Sequence, residues 1–204
     1  MRKSGKIWLA AAFFLCFAIL SGSWSFYRQT ELASRMLRLH VVANSDTDSD
    51  QRLKLEVRDA VLRRCGELLE GKKSLAEART RLENALPELA EAGAQVVRDW
   101  NQSYPVNVRL EYAPFPATQY VGFALPAGRY QALRVELGAA EGHNWWCVLF
   151  PSLCLAGEEE LSATAMAQGL TEDDVALLRQ ERPAYEIRWK CVELWEELRA
   201  SLAE

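Results

Sequence analysis

The chain has 204 residues, of which half are hydrophobic, with a formal net charge of −4. That composition supplies enough apolar surface for one buried core and excludes an intrinsically disordered chain. The charge is unevenly spread: residues 141–204 carry 13 acids against 5 bases, and residues 1–140 carry 15 acids against 19 bases. The acidic second part argues against a nucleic-acid partner.

The first element is the apolar run Ile7–Leu20, preceded by Arg2, Lys3 and Lys6. A positive stretch followed by an apolar one is the pattern of an export signal. The run itself is short for a membrane span of roughly 20 residues, but continuing it to Phe26 reaches that length. Ser21 and Ser23 stand where a signal peptidase would read small residues. Residues 1–27 are therefore expected to be a signal peptide or a signal anchor, and residues 28–204 a single extracytoplasmic domain.

Met36–Ala43 alternates as a half-buried strand does, and Asn44-Ser45-Asp46 breaks it. From Ser49, Leu53, Val57, Val61, Cys65 and Leu68 repeat at helical spacing up to Gly71, with Asp48 or Ser49 as the expected cap. Ser74 and Glu77 form a capping-box signature for a second helical region, which Pro87 should divide before Trp100. Strands are expected at Val106–Tyr112, Tyr120–Leu125, Tyr130–Leu137 and Trp145–Phe150, with a turn at Pro126-Ala127-Gly128. Thr171 can cap a short acidic helix that Pro183 closes. Ile187, Cys191, Leu194, Trp195, Leu198 and Leu202 mark a final amphipathic helix. Helices grouped first and strands grouped later predict an α+β fold, with a mainly antiparallel sheet and helices packed on one face.

The chemical inventory is thin. Asp46-Thr47-Asp48-Ser49-Asp50 imitates the start of a calcium loop, but Gln51 and Val57 occupy the positions that need glycine and glutamate. His40 and His143 are the two histidines, and neither sits in a zinc or hydrolase motif. Cys147 with His143 as its base lacks any group that would orient the pair. No catalytic residue, metal site or cofactor is expected. Cys147 and Cys154 enclose six residues with Pro151 among them, and export permits them to form a disulfide; two buried free thiols are the alternative.

Three blocks then carry a resemblance: Arg38–Asp46 with Leu53-Lys54 and Val57–Val61; Phe115-Pro116 through Pro126-Ala127-Gly128 to Tyr130 and Ala132-Leu133; and Gly142-His143-Asn144-Trp145-Trp146-Cys147-Val148-Leu149-Phe150-Pro151 with Leu153-Cys154. Together with Ile187–Lys190 and Val192–Trp195 they resemble the stage II sporulation protein R family. The departures are Ser152 in place of a second proline, no glycine among Ala139-Ala140, and no lysine near Thr118. The resemblance implies a signalling protein made in the forespore and exported to the space between the two sporulation membranes. Its implied partner is a membrane-embedded aspartic protease that matures pro-sigma-E. The N-terminal segment would meet the membrane during export or as an anchor. A secreted hydrolase or cell-wall-binding module is the alternative reading.

Adjacent strand residues point to opposite faces, so Trp145 and Trp146 cannot both enter one side of a sheet. One is expected in the core, and the other under a helix or at the surface. His143, Asn144, Trp145 and Trp146 are the candidate partner-binding residues, because a turn that presents an outward tryptophan supplies a large apolar anchor.

Overall fold

The structure, a computed structural model, describes residues 2–154 and 160–179. The proposed terminal helix and Pro183 lie outside the described residues.

A single helix, α1 (Arg2–Ser34), covers the whole export segment and continues beyond it. Among the described residues, no helix is long and apolar enough to cross a membrane. Its last turn enters the domain, where Leu32 and Ala33 are buried. Then follow β1 (Leu37–Val42), α2 (Asp48–Leu69), α3 (Leu75–Asn84), α4 (Leu86–Asp99) and β2 (Val106–Phe115). The chain continues with β3 (Thr118–Tyr120), β4 (Phe123–Leu125), β5 (Gly128–Leu137), β6 (Asn144–Phe150), α5 (Leu161–Ala167) and α6 (Glu172–Leu178).

Local chemistry accounts for most of these boundaries. Ser74 caps α3 by accepting from the Glu77 amide, and Pro87 stands in the first turn of α4, where its missing N–H leaves nothing unsatisfied. Thr171 and Asp174 form a reciprocal capping box on α6. The α2 cap is Thr47, whose side chain accepts from the Asp50 amide, rather than Asp48 or Ser49.

The main sheet has four strands in the order β2-β5-β1-β6. β1 runs parallel to β5, with Leu39 opposite Leu133, and antiparallel to β6, while β2 and β5 are antiparallel. The sheet is thus mixed. β3 and β4 pair only with each other, as a hairpin turned at Val121-Gly122, where Gly122 has φ +80°. That positive φ is why the expected strand Tyr120–Leu125 is two short strands.

Both faces of the sheet are covered, which corrects the expectation of helices on one face. Leu37, Leu39 and Val41 of β1, with Leu133, Val135 and Leu137 of β5, pack against Val57, Val61 and Cys65 of α2 and Leu82 and Leu89 of α3 and α4. On the opposite face, Phe115, Tyr130, Ala132 and Val148 pack against Leu32 of α1, the β3–β4 hairpin, and Leu161, Ala165, Val175 and Leu178 of α5 and α6. Arg35 ties the end of α1 to α6 by a 2.9 Å ion pair with Asp174. β1 is consequently buried at all six positions, not half-buried as its alternation suggests. Its polar members, Arg38 and His40, are enclosed by the second layer.

Leu39 is fully buried in the central strand. Leu39→Ala is expected to cost about 3 kcal/mol through lost transfer energy and a residual cavity. Urea unfolding would check this by a lowered midpoint at unchanged slope; a loss below about 1 kcal/mol would mean that the strand is not the centre of the core.

Candidate functional site

The site grows from a knot between two loops that precede α2 and β6. Gly142 donates its amide to the Ala43 carbonyl at 3.0 Å, and Glu141 donates to Asn44 at 3.2 Å. A Cβ on Gly142 would lie 2.3 Å from the Ser45 carbonyl oxygen, so this crossing requires glycine for close approach, not only for turning. Asp46 then accepts the His143 amide at 2.6 Å and also meets its ring Nδ1.

Two buried charges hold the knot from below. The Lys54 ammonium, which burial pushes down, donates to the His143 carbonyl at 3.0 Å and to Gln51 Oε1 at 2.7 Å. Asp50 accepts from Ser45 Oγ at 2.6 Å, Asn44 Nδ2 at 2.8 Å and the Tyr104 hydroxyl at 3.2 Å. Burial is the largest single influence on Asp50 and pushes it up, but these donors together outweigh it. The net result lies below the usual carboxylate range. Asp46 and Asp50, two of the three acids that imitate a calcium loop, therefore serve the knot, and no group of three or more His, Cys, Asp or Glu side chains among the described residues could hold a metal ion.

From this base β6 sends its first residues to opposite faces, as strand alternation requires. Asn144 Oδ1 and His40 Nε2 meet at 2.8 Å on the second face. Burial lowers the pKa of His40. Trp146 packs in the same layer, its ring 6.1 Å from His40. Trp145 turns the other way, remains 37 % exposed, and lies beneath the Arg58 guanidinium at 4.3 Å. Of the four sequence candidates, His143, Asn144 and Trp145 are exposed, Asn144 on the second face where it meets His40, while Trp146 is partly buried against the second core layer.

Cys147 and Cys154 form the anticipated disulfide. Cys154 Sγ also accepts the outward Val148 amide at 2.9 Å, and a bonded Cys147 holds no thiolate for nucleophilic chemistry.

Trp145 and Trp146, with the disulfide, border a groove of about 620 Å³. Its walls are the outer face of α2, at Arg58, Leu62 and Arg63, and the β3–β4 hairpin, at Tyr120, Val121 and Phe123. On its other side Trp145 rims a second hollow of about 560 Å³ beside Arg52 and Lys54. The groove walls were not singled out in the sequence. Arg58 lies inside a motif block, but its partner Trp145 is 87 positions away, and sequence spacing carries no sign of that contact.

The result is a mixed α+β domain with an aromatic groove at one sheet edge. The stage II sporulation protein R family profile matches residues 33–160, more than half of the chain, and the chain belongs to that family. The curated stage II sporulation protein R of Bacillus subtilis (strain 168) is 36% identical over 123 residues, covering 60% of this chain and 55% of that protein. The match therefore spans little more than half the length of the curated relative. No solved structure matches. Every element of the knot and both tryptophans fall inside the matched region.

Because its folded-state pKa lies below the unfolded value, Asp50 contributes stability that is complete above the ordinary carboxylate range, near pH ~4, and is lost as pH falls through its lowered value. Asp50→Asn should be markedly less stable than wild type at pH 7, and the gap should narrow on acidification toward pH 2. Urea midpoints of both proteins across that range test this; a constant gap would show that the charge of Asp50 is not what holds the loops.

Proposed function

We propose that this sporulation protein is an intercellular signal that acts by binding. In this reading it is exported from the forespore into the space between the forespore and mother-cell membranes, with α1 meeting the membrane during export or as an anchor. There it switches on a membrane-embedded aspartic protease, which matures pro-sigma-E. Family membership supports the setting in sporulation.

One observation carries the binding role. Trp145 is a large, partly exposed aromatic held on a rigid base by Gly142, Lys54 and Asp50, and it stands between two hollows. A tryptophan prearranged in this way loses little side-chain freedom on contact and displaces much water, the combination found at interface hot spots. His143 is exposed two positions before it, while Asn144 through His40 and Trp146 through the second core layer hold the strand from its other face.

The alternative of a secreted hydrolase or cell-wall-binding module predicts peptidase or muramidase activity, or retention on cell-wall material, from the purified exported domain. The signalling reading predicts none of these and instead processing of pro-sigma-E when the chain is co-expressed with the protease.

Trp145→Ala should remain folded and exported, yet lose about 2 kcal/mol of partner binding, roughly a thirtyfold drop in apparent affinity. Trp146→Ala should first lose stability, because its ring packs into the second core layer. Pro-sigma-E processing, read alongside circular dichroism and urea midpoints, separates the two. Full signalling by a folded Trp145→Ala variant would remove this surface from consideration.

A further inference from the structure

The groove has a direction as well as a shape. β6 is the last strand of the sheet, and among the described residues only β1 pairs with it, leaving its outer edge along the groove. The bond from the Val148 amide to Cys154 Sγ identifies which backbone groups point outward. By alternation, the N–H and C=O groups of Trp146 and Asn144 are directed to the same side. The disulfide thus closes one end of the edge and leaves the other end beside the tryptophans.

The walls are set for an extended chain. Leu62 of α2 and Phe123 with Val121 of the hairpin rise on opposite sides of the edge, and Val121 is 79 % exposed. A strand laid beside β6 sends alternate side chains to these two walls, since successive residues face opposite ways. The charge leans positive. Apart from the buried Lys54, which the knot engages, the groove and adjoining hollow carry Arg52, Arg58 and Arg63 against Asp48 and Asp59, the last already paired with Arg58.

We propose that this groove binds an extended segment of a partner protein, with alternating apolar and acidic side chains, as an added strand on the outer edge of β6. The proposal rests on the recognition reading above and specifies its mode. Backbone hydrogen bonds to Asn144 and Trp146 supply register, the apolar walls supply contact area, and Arg58 and Arg63 select acidic side chains. Arg58 is held 4.3 Å over the Trp145 ring and its Nε donates to Asp59 Oδ1 at 2.7 Å, so an arriving carboxylate meets a guanidinium already fixed in place.

The probes are a capped octapeptide of alternating valine and glutamate, its valine–lysine counterpart, and two forms of the first, each N-methylated on one alternate set of amides. They are titrated into the full exported chain, with tryptophan fluorescence and amide hydrogen exchange as readouts. The valine–glutamate peptide should protect the amides of Asn144 and Trp146 and bind at least about tenfold more tightly than the lysine form. One N-methylated form should lose binding and the other keep it, the signature of a strand with one edge in use. Arg58→Glu with Arg63→Glu should reverse the charge preference, whereas Arg79→Glu with Arg81→Glu, on α3, should not.

Equal binding by both N-methylated forms, or no binding at millimolar peptide, overturns the added strand. So does protection of these amides without peptide that disappears when residues 187–204 are removed, which would assign the groove to the chain's own terminal segment. The pro-sigma-E assay keeps the two readings apart. If Trp145→Ala and the Arg58/Arg63 double variant are silent while no peptide discriminates, recognition stands and the strand mode fails; if both variants signal fully, both fall.

Discussion

The structure depends on burying β1 from both sides. A strand with six buried residues at the centre of a mixed sheet must be matched by two layers, and the chain provides them in separate stretches. Helices α2–α4 cover one face, and the end of α1, the β3–β4 hairpin and α5–α6 cover the other. The parallel pairing of β1 with β5 is compatible with this order, since 85 residues containing helices and strands separate the two and return the chain in the same direction.

That arrangement imposes a cost at Arg38. Its guanidinium is fully buried on the second face, where burial lowers its pKa, and its Nε and Nη1 have no hydrogen-bond partner among the described residues. What offsets the cost is aromatic. The guanidinium carbon lies 4.1 Å from the centre of Phe115 and 4.9 Å from that of Tyr130, and Nη2 donates to the Tyr120 hydroxyl at 2.6 Å. Desolvated cation–π contacts are each worth up to about 2 kcal/mol, so the aromatic box compensates for part of the missing hydration. Since Tyr120 belongs to the hairpin, Arg38 also fixes the hairpin over the sheet, and through it one wall of the groove.

What could be read from sequence follows from the range of each interaction. Capping by Ser74 and Thr171, division at Pro87 and the periodicity of α2 are local, and each is seen in the structure close to where the residues place it. Opposite facing of Trp145 and Trp146 follows from strand geometry alone and is also observed. The second layer was not legible, because α5 and α6 have seven residues each and too few turns to display an apolar period. Alternation in β1 was misleading for a related reason: Arg38 and His40 read as solvent-facing, and only a distant aromatic box and Asn144 make them core residues. The disulfide was anticipated from spacing and export, but its role as acceptor for the Val148 amide depends on where β6 stands in the sheet.

The same reasoning separates holding from contacting at the candidate site. Lys54 and Asp50 are buried, carry opposite charge, and reach the loops at both ends of the knot without facing the groove. Their charges are satisfied by loop carbonyl and donor groups, so they convert burial energy into loop position. Trp145 and Arg58 show the reverse pattern: each is partly exposed, and the guanidinium lies 4.3 Å from the Trp145 ring centre while its Nε donates to Asp59 Oδ1 at 2.7 Å. Two buried, oppositely charged side chains beneath a partly exposed cation–aromatic contact form an arrangement in which the lower tier restricts motion and the upper tier retains surface for a partner. That division explains why a domain with little sign of chemical machinery in its sequence commits so many polar residues to one end of β6.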